Sequence, residues 1–244
     1  SRFVPAMPRD ALEPPIASTD LMGFAFALAG ARLVARPSGA LWIPDLGLLA
    51  VADLHLGKAE RLARRGGALL PPYADAETLE RLDAEVAALD PETVLCAGDS
   101  FDDPTAARRL GPETRERLGG LAASRRWIWI AGNHDPAPHG FPGACVAAHS
   151  AGPLVFRHAP DSSARPGEVS GHLHPKATLA LRGRRLRRRC FLADRRRVIL
   201  PAFGAYTGGL DASDPVFDPL LGPEAQALLL GARVAAAPRA ALSR

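Results

Sequence analysis

Leu48-Leu49-Ala50-Val51-Ala52-Asp53-Leu54-His55 decides how this chain is read: five apolar residues of strand character stop at a carboxylate and an imidazole two positions apart. The pattern returns four times. Thr93-Val94-Leu95-Cys96-Ala97 runs into Gly98-Asp99-Ser100-Phe101-Asp102, and Trp127-Ile128-Trp129-Ile130-Ala131 runs into Gly132-Asn133-His134-Asp135. Leu154-Val155-Phe156 leads to Arg157-His158, and Glu168-Val169-Ser170 to Gly171-His172-Leu173-His174. Each cluster falls where a strand should end, which is where open α/β architectures build their sites. Singly, each is weak. An Asp-x-His is usually a surface turn, a lone histidine after a strand is usually structural, and Gly-Asn-His-Asp is rich in turn formers. Five in succession, with four ligand-type histidines and two ligand-type carboxylates, are much harder to dismiss as turns.

Working outward, the uncharged run Leu21 to Ala31 is preceded by acids and continues into Arg32-Leu33-Val34, so it reads as a first strand rather than a secretion signal. From Phe24 to Ala52 the pattern is that of consecutive strands, with turns at Pro37-Ser38-Gly39 and Pro44-Asp45. After the first cluster, Pro71-Pro72 opens a helix whose stripe is Ala76, Leu79, Leu82, Val86 and Leu89, and Pro91 ends it. A shorter helix is expected over Glu113 to Ser124. Strand alternating with helix signals parallel units of an α/β fold. Beyond Asn133 the prolines and glycines from Pro136 to Gly143 mark a loop, later segments are short strands, and Ala227 to Ala236 is expected to form a last strand pair.

Length and composition set the frame. At 244 residues, 47% hydrophobic and 23% charged, the chain suits one globular domain over 21–244, preceded by a loosely held Pro-rich arm over 1–20. Cys96, Cys145 and Cys190 are odd in number, widely spaced and set in apolar runs, which argues for buried thiols and a reducing, cytoplasmic compartment. No stretch is long enough to span a bilayer. Nine arginines and one acid lie between Arg182 and Arg197, a local charge of +8, so against +4 overall the rest of the chain carries −4.

The clusters suit a pair of cations that acidify a water and clamp phosphoryl oxygens. Asp53 and His55, two apart on an extended segment, lie on one side and can share an ion. Asp99, after a glycine that permits a sharp turn, is the candidate bridge; Asn133 offers a side-chain oxygen, and His172 and His174 divide between two metals. Mixed His, Asp and Asn ligands suit manganese, iron, zinc or nickel rather than calcium or magnesium. The fourth histidine is the least settled: His139 and His149 compete with His158, which is preferred because it directly follows a strand.

These clusters resemble, position for position, the five motifs of the calcineurin-like metallophosphoesterase superfamily. The resemblance implies a two-sheet α/β sandwich flanked by helices, with a dinuclear site at the strand C-terminal ends. It further implies one ion held by Asp53, His55, Asp99 and His174, a second by Asp99, Asn133, His158 and His172, and His134 as the non-ligand acid. Asp102 would orient the His134 ring through its other nitrogen. Many relatives carry an arginine after this aspartate, where this chain has Asp103.

A narrower resemblance runs from about Phe24 onwards. Ala52-Asp53-Leu54-His55-Leu56-Gly57-Lys58, Ser170-Gly171-His172-Leu173-His174-Pro175 and Leu200-Pro201-Ala202-Phe203-Gly204-Ala205-Tyr206-Thr207-Gly208-Gly209 are similar to the bacterial ligase-associated DNA damage response endonucleases. That implies a manganese-dependent phosphodiesterase acting on DNA by a metal-activated hydroxide, associated with an ATP-dependent DNA ligase, a helicase and an exonuclease. Arg182, Arg184, Arg185, Arg187, Arg188 and Arg189 are the candidate nucleic-acid contacts, and Arg61, Arg64 and Arg65 extend a basic surface toward the metals. Two other readings stand beside it: a small-substrate phosphoesterase for nucleotides, cyclic nucleotides or phosphomonoesters, and a non-catalytic scaffold. The retained Asn133, His134, His172 and His174 weigh against the scaffold.

Overall fold

The computed structural model describes residues 23–66, 70–71, 73–181 and 184–242, so the arm expected over 1–20 and the opening of the run at Leu21 lie outside the described residues. Ala29-Gly30, with φ of 52° and 85°, turns the first apolar run back on itself, as a two-residue hairpin with positive φ at both centres does. The stretch expected to be one strand is therefore a hairpin, β1 (Phe24–Leu28) against β2 (Ala31–Ala35), with Leu28 opposite Ala31. β3 (Leu41–Ile43) and β4 (Leu48–Val51) extend the antiparallel meander.

From β4 the pairing turns parallel, through β5 (Thr93–Cys96), β6 (Arg126–Ile130) and β7 (Ala144–Val146). The connections carry α1 (Lys58–Arg64), α2 (Ala74–Leu89), α3 (Ala106–Arg109) and α4 (Pro112–Ala123). Neither α1 nor α3 is apparent in the apolar periodicity, since both are short and rich in charge. Leu79, Leu82 and Val86 of the expected stripe are buried and Leu89 is partly so, whereas Ala76 is exposed and Ala74, Thr78 and Glu85 complete the buried face of α2.

The second sheet follows from β8 (Ala148–Ala151), β9 (Leu154–Arg157), β10 (Glu168–Ser170), β11 (Lys176–Leu181), β12 (Arg184–Ala193), β13 (Arg197–Ile199), β14 (Gln226–Leu229) and β15 (Ala235–Pro238). Its order is β15-β14-β12-β13-β10-β9-β8, with β11 paired to β12. β9, β10 and β13 are mutually parallel, as are β4, β5, β6 and β7 in the first sheet.

Period-two alternation explains how these layers stack. Leu48 and Ala50 point between the sheets with Leu95, Ile128, Phe156, Val169, Phe191 and Val198. Leu49 and Val51, with Val94, Cys96, Trp127 and Trp129, face Leu79, Leu82, Val86 and Leu118 of the helices. Covered on both faces, β4 to β6 read as near-continuous apolar runs. The outer face of the second sheet, Cys190, Leu192, Ile199 and Leu229, packs on Ala212, Phe217 and Leu221 of an irregular segment. Among the described residues the sandwich therefore carries α-helices on one side only, because the segment over the second sheet lacks a helical apolar period.

Cys96 and Cys190 are buried as expected, whereas Cys145 on the edge strand β7 is exposed. Among the described residues, no helix is long and apolar enough to cross a membrane.

Candidate metal centre

All five clusters meet at the C-terminal edges of parallel strands from both sheets. The loops are laced by main-chain bonds: Asp53 N to Gly98 O (3.1 Å), His55 N to Asp99 O (3.0 Å), and Gly171 N to His158 O (2.9 Å). The loop after β13 joins them through Phe203 N to Ala52 O (2.8 Å) and Gly204 N to Asp53 O (3.1 Å). Asp53, His55, Asp99, His172 and His174 all have φ between 46° and 72°, the left-handed region. Asp and His tolerate that region better than most residues, yet it costs of order 1 kcal/mol each. Five strained residues around one point mark a place where geometry outranks local stability.

Glycines make the room. Gly98, at φ 85°, lies under the His158 ring, and a Cβ there would overlap the imidazole; a Cβ on Gly132 would overlap Asp99. Asp135 then ties the second and third clusters together, its carboxylate accepting from the N–H groups of Asp99 (3.1 Å), Ser100 (2.8 Å), Phe101 (3.1 Å) and Gly132 (3.0 Å). Burial and the nearby Asp99 charge push its pKa up to about 6, against those four donors, which favour the ionised form. No role for Asp135 follows from the sequence pattern. The signal was an acid at the end of a turn-forming cluster.

Polar atoms converge in three groups, and beside that of His55, Asp102 and His134 stand two others. In the first, Asp53 Oδ1 is 3.1 Å from His174 Nε2, and His55 completes the set within 4.8 Å. Asp53 is fully buried and His55 nearly so. Asp53 Oδ1, His55 Nε2 and His174 Nε2 have no hydrogen-bond partner among the described residues. Such atoms are costly unless something positive sits among them.

In the second group, His158 donates through Nδ1 to Ala97 O (3.1 Å), which leaves the lone pair of Nε2 facing Asn133 Oδ1 (2.8 Å) and Asp99 Oδ2 (3.3 Å). His172 Nδ1 stands 3.1 Å from the same nitrogen. Acceptors crowd this point, and a cation relieves them. Ligands about 2.1 Å from one ion and at right angles stand roughly 3 Å apart, which these separations match. The chain thus fits divalent ions at both points. Burial opposes ionisation of Asp99, while the His134 N–H that its Oδ1 accepts (2.8 Å) favours the carboxylate, and its pKa lies below the ordinary value.

Around these groups the side chains sort differently from expectation in one respect. The Asp102 carboxylate does not hold His134. It accepts from His55 Nδ1 (2.8 Å) and from Arg61 Nε of α1, while His134 Nδ1 bonds the main-chain carbonyl of Asp102 at 2.8 Å. The reason is reach: His55 and Asp102 enter from neighbouring parallel strands, and the carboxylate meets the nearer ring. Asp103, in the position where relatives carry arginine, caps the Thr105 N–H (2.7 Å) and pairs with Arg64 (3.3 Å). Arg61 and Arg64 are thus engaged by acids, and Arg65 is exposed.

His139 stacks among Phe101, Trp129 and Phe141, and His149 lies on β8. Neither is in the two groups, whereas His158 is. Of the basic segment, Arg182 and the Arg184 side chain lie outside the described residues, and Arg185, Arg187 and Arg188 are exposed on β12. Arg189 is a correction: it is half-buried and donates to the carbonyls of Ala202 (2.9 Å) and Phe203 (3.4 Å), so it anchors a loop instead of facing solvent.

A family model described as calcineurin-like phosphoesterase matches residues 46–184, more than half the chain. No curated protein matches. Among solved structures, the Pseudomonas putida nuclease MPE is 24% identical, with a TM-score of 0.66, covering 88% of this chain and 100% of its own. The E. coli phosphoesterase Yfce is 15% identical, with a TM-score of 0.41, covering 78% of this chain and 98% of its own.

Proposed function

The chain belongs to the calcineurin-like phosphoesterase family and is a metal-dependent hydrolase, and on that premise we propose that it is a dinuclear phosphodiesterase that cuts DNA in repair, with manganese as its metal. The observation that carries the reading is the convergence of ligand-type atoms at two points: Asp53, His55 and His174, whose facing atoms have no hydrogen-bond partner among the described residues, and Asp99, His158, His172 and Asn133, whose acceptors crowd one another. Two divalent ions bound there supply an acidified water and positive charge against phosphoryl oxygens.

The protein's own contributions follow from the hydrogen bonds. Asp102 fixes His55 with Nδ1–H outward, so Nε2 is left for a cation; Ala97 O does the same for His158. His134 donates Nδ1–H to a carbonyl, which cannot release that proton, so Nε2 is the atom that takes up and delivers one. Protonated there, it donates to the departing alkoxide oxygen.

The choice of DNA rests on the arginines of β12 and on the fold shared with a nuclease. The test is purified protein with manganese on single-stranded, duplex and nicked DNA, beside a diester and a monoester of nitrophenol. Cleavage of DNA and the diester is expected, and cleavage of the monoester alone would overturn the reading. His134→Ala should keep bound metal and lose most turnover, and Asp99→Asn should lose both.

A further inference from the structure

Both tyrosines of the chain stand at one exposed spot beside the metal centre. Tyr73 precedes α2 and is 57% exposed; Tyr206, in the loop after β13, is 46% exposed, and their rings meet edge-on with centroids 6.4 Å apart. Aromatic side chains of this size are rarely left in water without a use when they cluster. Tyr206 also has φ 56°, although Gly204, Gly208 and Gly209 nearby would take that conformation without strain. Burial does not compensate the strain, because the ring is half in solvent. What the conformation achieves is to present the ring.

The position relative to the site follows from the main chain. Gly204 donates to Asp53 O, Ala205 to Thr78 Oγ1 of α2 (2.9 Å), and Lys176 Nζ to Thr207 O (2.9 Å). Tyr206 is two residues from Gly204, hence at most about 7 Å along the chain from a residue bonded to the Asp53 backbone. That is roughly the reach of one nucleotide. The surroundings are cationic. Arg187 Nη2 bonds Gly209 O (3.2 Å), and the charges of Arg187, Arg189 and Lys58 act on Lys176. Glu77, beside Tyr206, is paired with Arg81 at 3.6 Å.

We propose that Tyr73 and Tyr206 form a stacking platform for an unpaired nucleobase next to the phosphate held at the metal centre, with Lys176 and Arg187 beside the strand. The proposal rests on the nucleic-acid reading above and names where that strand lies. Aromatic stacking accepts any base, because every base has a π face, so the platform selects single-stranded over paired nucleic acid without reading sequence.

The experiment is equilibrium binding in a metal chelator, so that nothing is cleaved, of a labelled ten-nucleotide single strand and of its abasic sugar-phosphate counterpart. Native protein should bind the base-bearing strand roughly tenfold or more tightly than the abasic one, as expected for one to two stacked bases. Tyr73→Ala with Tyr206→Ala should abolish that ratio, and Tyr73→Phe with Tyr206→Phe should restore it, since phenyl rings stack without the hydroxyl. Equal binding of the two strands by native protein, or a ratio that survives in the double alanine variant, overturns the proposal. Failure of the nuclease reading is separable: it shows as absence of diester cleavage with manganese, measured apart from the binding ratio.

Discussion

Asp102 is the side chain through which the site is tuned rather than built. Its carboxylate joins Arg61 of α1 to His55, and the His55 bond fixes which nitrogen of that ring faces the Asp53 and His174 atoms. Asp102→Asn keeps the size and removes the charge, so manganese affinity should fall about 10- to 100-fold with little loss of fold. Calorimetric titration with manganese decides it, and unchanged affinity would remove Asp102 from the centre. Gly98 answers to sterics instead. Gly98→Ala adds left-handed strain at φ 85° and a methyl group against His158, together about 2–4 kcal/mol, read as a shifted denaturant midpoint. The residues that converge at the centre could be read from sequence because five polar clusters follow apolar runs in succession, a recurrence that no single turn or structural histidine explains. The partner of Asp102 could not: which ring a carboxylate reaches depends on the spacing of β4 and β5, which periodicity does not encode.

At the level of elements, β12 serves two purposes along one strand. Its C-terminal half, Cys190 to Ala193, is core on both faces, while Arg185, Arg187 and Arg188 stand in solvent. Arg189 sits at the junction; burial and the Arg81 charge lower its pKa to about 10, and it holds the 202–203 carbonyls. Arg189→Gln should therefore cost about 1–3 kcal/mol of stability and lower turnover on every substrate. Arg187→Gln with Arg188→Gln should change stability by less than about 0.5 kcal/mol while reducing the slope of log K against log salt by about 0.7–0.9 per lost phosphate contact. Denaturant melts and salt titrations of DNA binding separate the two. Composition could not split this segment, since six arginines look alike until the strand's neighbours are known. Elsewhere the strands were readable because β-branched and aromatic runs end in turns, whereas the Ala29-Gly30 hairpin was hidden by a turn residue, Ala29, that is apolar, and α1 by its shortness.

For the molecule as a whole, the two sheets touch through their core and again at the centre, where Asp53, Asp99 and Asn133 come from the first and His158, His172 and His174 from the second. Acid should weaken the fold from a different quarter. His139, held among Phe101, Trp129 and Phe141, has its pKa lowered to about 4 by burial, from the ordinary 6.5. A depressed histidine binds its proton more readily unfolded, so its contribution is intact above pH 6.5 and is lost as pH falls toward 4, by up to ~3 kcal/mol. His139→Phe should flatten the stability curve across that window, and parallel curves would exclude it. Metal acts in the opposite sense. Ions bound at the centre would tie ligands from the two sheets together, an arrangement the unfolded chain does not offer, so their binding energy would be folding energy. Manganese at a hundred times its dissociation constant should add about 2.7 kcal/mol, raising the melting temperature of a chain this size by roughly 5–10 °C. Asp99→Asn, which removes the carboxylate proposed to bridge the two ions, should melt at the same temperature with and without manganese; a metal-dependent rise in that variant would mean that the stabilising ion is bound somewhere other than between the sheets.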